Sequence, residues 1–366
     1  MLKNWFQKER NRDKLVPWFS VLLGFFVGAI VILISGHNPF EAYGSMLKGA
    51  GMFGDVKKFG NTLLQMTSLI LTGLSLAFAF RTGLFNIGAS GQVLMGGFAA
   101  VFIGIKYDLP QYIHMPLAVL AAGIAGSLWA LLPAILKARY KIHEVVTTIM
   151  MNWIAVWSVY YFVPTLIPGA FDTESSKIKE TASLRLPWLT ELFKGSAVNL
   201  GLFIAIFAAI AVWFILEKTT FGYELKAVGF NTFAAKYAGM KVNRNIIASM
   251  MISGLLAGLA GATYYIGYSD NIKIGVLPSL GFDGMAVALL GQSTPIGVVL
   301  SAFLFGMMSA GKEIMQLQAN VPNELVPIII AVIIFFAAAN LMIKEWLKKV
   351  AEMSQAKTNK VGGKND

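Results

Sequence analysis

The chain has 366 residues, 56% of them hydrophobic and 13% charged. A soluble domain carries about a quarter charged residues, so that class is excluded and an all-α polytopic membrane protein is expected. The net charge of +11 does not point to nucleic acid, because basic residues sit at the ends of apolar runs and in the tails. With no cysteine, disulfides and thiol-ligated clusters are excluded, and three distant histidines (His37, His114, His143) give no metal site.

Apolar runs near the ~20 residues that cross a bilayer core fall roughly at 17–36, 61–80, 91–107, 114–136, 145–165, 197–216, 246–268, 281–293, 295–311 and 325–343. Residues 1–16 form a charged N-tail. The run after them is too long for a signal-peptide core and lacks a small-residue cleavage pattern, so it reads as a retained first span. The eighth run is short and opens Gly281-Phe282-Asp283-Gly284, as a half-helix or re-entrant segment would. With ten spans and both ends cytoplasmic, about two thirds of the 30 lysines and arginines fall on the inner side, as the positive-inside rule requires. Residues 166–196 are then an outer loop, either a lid over helix ends or a surface that receives a docking protein. Residues 217–245 form a long cytoplasmic loop, and 344–366 a basic cytoplasmic C-tail near anionic headgroups.

Four stretches carry candidate function, in chain order. In 81–92, three glycines in nine residues each cost a helix about 1 kcal/mol relative to alanine, and Asn86 and Gln92 place amides in apolar surroundings. Such a segment either packs tightly between helices or lines a wet path, with Phe85 flanking it. In 141–152, Glu144 opens a span and favours the helix dipole, while Thr148 and Asn152 share one face; Trp153 follows. The threonines can instead bond their own helix backbone. The stretch 217–239 is polar and longer than a connection needs. It has a helical pattern through Tyr223, Ala227, Ala234 and Tyr237 and a break at Gly229, which suits the docking of a soluble motor. In 281–292, Asp283 is either an N-cap or a functional carboxylate near the bilayer. A Gly-rich helix followed by a broken apolar segment occurs twice, at 73–92 and 254–292, which suggests an inverted repeat. No catalytic constellation is present, and mid-span polar groups are mostly neutral, so the driving energy is expected from elsewhere.

GLFNIGASGQ at 83–92, HEVVTTIMMN at 143–152, TTFGYELKAVGFNTFAAKYAGM at 219–240 and SGLLAGLAGA at 253–262 jointly resemble the permease subunits of bacterial ABC importers. The branch is that of ribose and branched-chain amino-acid permeases. GFDGMAVALLGQSTPIG at 281–297 resembles the nucleoside-importing sub-branch, which works with basic-membrane-lipoprotein-type binding proteins. The resemblance spans nearly all of 15–345. It implies a type II importer permease fold of about ten helices in the bacterial plasma membrane, with no cofactor bound by the chain itself. It also implies a second homologous permease, an extracytoplasmic substrate-binding lipoprotein, and a cytoplasmic ATPase that uses ATP and Mg. The loop match assigns coupling to Gly222, Leu225, Ala227, Gly229, Asn231, Ala234, Ala235 and Gly239, whose small side chains let a short helix seat in an ATPase groove. Lys226 is expected to pair with acids on that groove's rim. Two positions depart from the family pattern: Ser90 stands where Glu is usual, and His143 where Asn is usual.

A nucleoside is neutral, with ribose hydroxyls and an aromatic base. The amides of Asn86, Gln92 and Asn152, with Phe85 and Trp153 beside them, suit that ligand, and they suit a monosaccharide nearly as well. The alternatives are therefore an ABC permease for sugars and, from another class, a stand-alone channel or secondary carrier.

Overall fold

A computed structural model describes residues 9–339, with side chains from residue 17 onward. The C-tail 344–366, the first half of the N-tail (1–8) and the last four residues of the tenth span lie outside that range. Among the described residues the chain is helical, and two isolated bridges, Pro168–Ser175 and Glu174–Lys273, are its β pairing. The helices are α1 (Glu9–Ile34), α2 (Pro39–Gly49), α3 (Val56–Arg81), α4 (Ala89–Lys106), α5 (Gln111–Tyr140), α6 (Glu144–Leu166) and α7 (Pro187–Leu192). There follow α8 (Gly201–Lys218), α9 (Thr220–Phe230), α10 (Thr232–Tyr237), α11 (Val242–Tyr264), α12 (Leu280–Leu290), α13 (Pro295–Ala319) and α14 (Leu325–Ala338). Among the described residues eight helices are long and apolar enough to cross a membrane; α12 and α14 are shorter. Each of the ten expected spans coincides with a helix, which makes this a multi-pass membrane protein.

Two compact units divide the chain. In Met1–Gly44 with Met315–Asp366, α1 and α14 approach closely enough that a methyl at Gly28 would lie 2.7 Å from the Ile329 side chain. Tyr43 donates its hydroxyl to the Phe25 carbonyl at 2.7 Å, and burial pushes that phenol's pKa up to about 12.

In the other unit, Ser45–Ile314, α3 is the interior helix, with 78% of its apolar window buried against 28% for α8. Its polar side chains explain how an interior helix stays in register without polar loss. Ser68 and Thr263 hydroxyls meet at 3.2 Å, Ser75 donates to the Ser253 carbonyl at 2.7 Å, and Ser249 donates to Thr82 at 2.8 Å. The pairs run in opposite sequence directions, so α3 and α11 are antiparallel. Behind α11, Gly254 and Gly258 face Gly126 and Ala122 of α5, and added methyl groups would overlap backbone carbonyls across this contact. Small residues thus let backbones touch, which is how helices associate where lipid supplies no hydrophobic drive.

The eighth span resolves into a half-helix. Its eleven residues rise about 16 Å, half the bilayer core. The chain at 270–279 is irregular and tied to the far-end loop, where Ile178 N donates to Asp270 O and Ser175 N to Ile272 O. At its other end, Arg81 Nε donates to Ser293 O at 2.9 Å. The segment therefore runs from one end of the unit to the other, with α12 filling the half nearer Arg81. The proposed repeat partners differ locally: Gln92 lies inside α4, whereas Gln292 occupies a left-handed turn (φ 51°) after α12.

The 167–200 loop is held down at the Lys106 end. Buried His114 donates through Nε2 to the Ile103 carbonyl at 3.0 Å, and its Nδ1 pairs with Thr181 Oγ1 at 2.8 Å. Arg185 donates to the carbonyls of Gly267 and Tyr268, freed by the π-helical turn Tyr265–Ser269, and pairs with Asp270 at 3.3 Å.

Candidate functional site

Two constellations lie toward the Arg81 end. The first is a knot of amides at the α3–α4 turn. Asn86 donates through Nδ2 to Gln92 Oε1 (2.9 Å) and Ser253 Oγ (2.8 Å), while Gln92 Nε2 and Gly88 N donate back to Asn86 Oδ1 at 3.2 Å. From α6, Asn152 donates to the Ile87 carbonyl (3.0 Å) and accepts from Gly91 N (2.8 Å). The turn's glycines make this possible, because a methyl at Gly91 would lie 2.8 Å from Asn152 Oδ1. All three amides are buried. Each such group would be costly in an apolar interior without a partner, and each has one here. Thr148 donates to the Glu144 carbonyl of its own helix at 2.7 Å. The Glu144 carboxylate takes an ion pair from Lys137 at 2.6 Å, which anchors α6 to α5 at this end.

The knot brings together Asn86, Gln92, Thr148 and Asn152, but not the other expected path residues. Trp153 is 54% exposed on the outer face of α6, and Phe85 is half-exposed, stacked on Phe80 at 5.2 Å. Asp283 is not the N-cap of α12: Ser279 holds that position, Asp283 lies in the first turn, and Ser279 Oγ donates to its carboxylate at 2.9 Å. Ser90, the departure from the family pattern, is buried with no hydrogen-bond partner for its hydroxyl and lies against Gly281.

The second constellation is an elbow formed by α9 and α10. Thr219 caps α9 by accepting from Gly222 N at 3.0 Å. Asn231 ends α9 and starts α10, accepting from Phe233 N and Ala234 N at 2.9 and 3.0 Å. Gly239, at φ +81°, ends the second helix in a left-handed conformation. The elbow has two faces. Leu225 is buried, and Val228 and Ala235 are buried with Ala79, Leu84, Ile246 and Met250. Gly222 packs on Leu216, and Gly229 sits against the backbone of Arg81 and Gly83, where a side chain would collide. Asn245 ties the elbow to α11 by donating to Glu224 at 2.8 Å. The opposite face projects Phe230 (90% exposed), Phe233 (80%) and Tyr237 (97%). Beside Phe230 and Tyr223 a groove of about 560 Å³ is lined by Lys226, Ala227, Ala234 and Ala238.

This divides the residues expected to meet a motor. Ala227, Ala234, Asn231 and Lys226 border the open groove and buried Ala235 also lines it, whereas Gly222 and Leu225 are buried in the protein and Gly229, exposed on one side, abuts the Arg81–Gly83 backbone. Lys226 is paired within the chain, to Glu217 at 3.2 Å. Sequence reasoning passed over Phe230 and Phe233. The available signal was aromatic residues recurring in an otherwise polar stretch.

A family model described as branched-chain amino acid transport system / permease component matches residues 59–338. The guanosine ABC transporter permease protein NupP of Bacillus subtilis (strain 168) is 46% identical over 92% of this chain and 96% of its own length. The nucleoside ABC transporter permease protein NupB of Lactococcus lactis subsp. cremoris (strain MG1363) is 37% identical over 97% of this chain and 98% of its own. The glucose ABC transporter permease protein TsgB13 of Haloferax volcanii is 29% identical over 92% and 90% respectively.

Proposed function

This chain belongs to the branched-chain amino acid transport system / permease component family, and we propose that it is the permease subunit through which an ATP-driven importer moves nucleosides. The observation that carries the substrate class is the end-to-end similarity, at 46% identity, to a permease named for guanosine. The sugar reading has one specific observation behind it, the 29% identity to a glucose permease.

In this reading the elbow seats in a cytoplasmic ATPase, so the Arg81 end faces the cytoplasm and the Lys106 end faces out. The preponderance of lysine and arginine on that side supports this orientation. ATP and Mg belong to the ATPase. A second homologous permease and an external substrate-binding lipoprotein complete the assembly. Phe230, Phe233 and Tyr237 supply the aromatic anchors that become buried at such an interface, and Ala227, Ala234 and Lys226 border the groove beside Phe230. Gly222, Leu225, Gly229 and Ala235 hold the elbow's shape, and Asn231 and Gly239 set its corners. Gly229 touches the Arg81–Gly83 backbone, so motion of the elbow displaces the α3–α4 turn and with it the amide knot. Asn86, Gln92, Thr148 and Asn152 meet substrate when that turn moves, because in the described conformation their hydrogen bonds are satisfied within the chain. Phe85, Trp153 and Asp283 complete the path.

The test is uptake of radiolabelled guanosine and adenosine into proteoliposomes holding the complete transporter, with binding protein outside and ATP inside. ATP-dependent uptake resistant to excess ribose and glucose is the expected result. Competition by either sugar moves the assignment to a sugar permease, and flux indifferent to ATP overturns the importer.

A further inference from the structure

The outer side of α8 does not share in either constellation, yet it has a shaped surface. Helix α8 is apolar on all sides, with a mean hydropathy of 2.0 over its 18 residues, and most of its surface is unburied. It packs against the interior helix α3, and α13 also touches α3, its Val298 lying against Gly73 and its Gly306 against Met66. Because both rest on the same central helix, a furrow remains between them. Ile206, Ile210 and Trp213 form one wall and Ile296, Val299 and Leu300 the other, enclosing about 330 Å³ with an almost wholly apolar lining. At the ~30 Å³ of one water-sized group, that volume holds on the order of ten chain carbons.

The furrow's Arg81 end is cationic. Lys218, the last residue of α8, folds back so that its Nζ lies 5.6 Å from the centre of the Trp213 ring. Arg81 reaches Ser293, two residues before α13 begins. Neither cation has a carboxylate partner among the described residues, in contrast to Lys226 and Lys137 nearby. An indole and a long cationic side chain at the mouth of an apolar furrow match the layering of a phospholipid. The stem of the lysine lies along carbon and its ammonium reaches the headgroup level.

We infer that the furrow between α8 and α13 holds an acyl chain of an anionic phospholipid from the leaflet at the Arg81 end, with the lipid phosphate beside Lys218. The charge identifies the occupant, since a neutral protein helix in the same furrow would bury Lys218 without a counter-charge. The inference stands independently of the transported solute.

The experiment uses the complete transporter in nanodiscs of mixed phosphatidylglycerol and phosphatidylcholine, followed by native mass spectrometry of retained lipid. Retention of phosphatidylglycerol should exceed that of phosphatidylcholine about fivefold, the effect of one lysine near a charged headgroup. Lys218→Gln should bring the two within about twofold, and Ala209→Phe, which narrows the furrow, should lower retention of both. Equal retention by wild type and Lys218→Gln would overturn the site. Because the chain has no cysteine, Leu300→Cys carrying a benzophenone maleimide gives a second readout. Photoadducts to lipid support the inference, and adducts to a protein subunit overturn it.

Discussion

The amide knot and the elbow are both polar interruptions in an apolar chain, yet their surfaces are arranged in opposite ways. In the knot, every amide finds its partner inside the unit: Asn86 with Gln92 and Ser253, and Asn152 with Ile87 and Gly91. In the elbow, polar groups serve only as caps and ties, and three large rings are left in the open at Phe230, Phe233 and Tyr237. Polar residues within a membrane segment therefore do not by themselves mark a working surface. A better mark is a group left without company, and in the elbow those groups are the rings of Phe230, Phe233 and Tyr237.

Substitutions can break this contrast, beginning with the largest effect. Asn86→Leu removes two donors and an acceptor and leaves the Gln92 amide and Gly88 N without partners, while Ser253 keeps only its hydroxyl contact with Ser75. At about 1–3 kcal/mol for each orphaned group, the variant should lose most of its folded yield by size-exclusion chromatography and thermal melting. Phe233→Ala and Phe230→Ala should leave the melting temperature of the isolated subunit unchanged. Each should weaken capture of the ATPase by about 2 kcal/mol, roughly thirtyfold, as truncation of a buried anchor does; a titration of one purified component against the other measures it. If these variants assembled normally, the elbow would not be the motor contact. Asn231→Ala removes the cap at the corner and should cost about 1 kcal/mol of local helix stability, read as faster amide exchange in 232–237 and a partial loss of ATPase capture. Lys226→Ala is the mildest. Its pairing with Glu217 is partly solvent-exposed and should contribute under about 0.5 kcal/mol, so uptake should stay near wild type.

The ten spans were legible because length and apolarity alone decide them. The half-length eighth was also legible, since its apolar run is too short to cross; Gly281 and Gly284 themselves lie within the helix. The two faces of the elbow were not. Whether Gly229 looks inward or outward depends on its contact with the Arg81–Gly83 turn, nearly 150 positions earlier in the chain, which no local periodicity records. The role of the amides was hidden for a similar reason. Asn86 and Gln92 are only six residues apart, but their bond needs the α3–α4 reversal between them, and Ser253 arrives from another helix. Thr148 was the exception: its bond to its own helix backbone is a local interaction, and local interactions can be read from sequence.

The hydroxyl seam between α3 and α11 also has a consequence for biogenesis. Ser75 waits for Ser253, 178 residues later, and at ~5–20 residues per second that is about 10–35 s of synthesis. During that interval the nascent α3 has entered the bilayer with its hydroxyls facing lipid or provisional neighbours. The innermost helix of the finished unit is thus among the earliest to be made and among the last to be completed. A ribosome stalled before residue 253 would leave a membrane intermediate that a quality-control protease could recognise by its uncovered polar stripe.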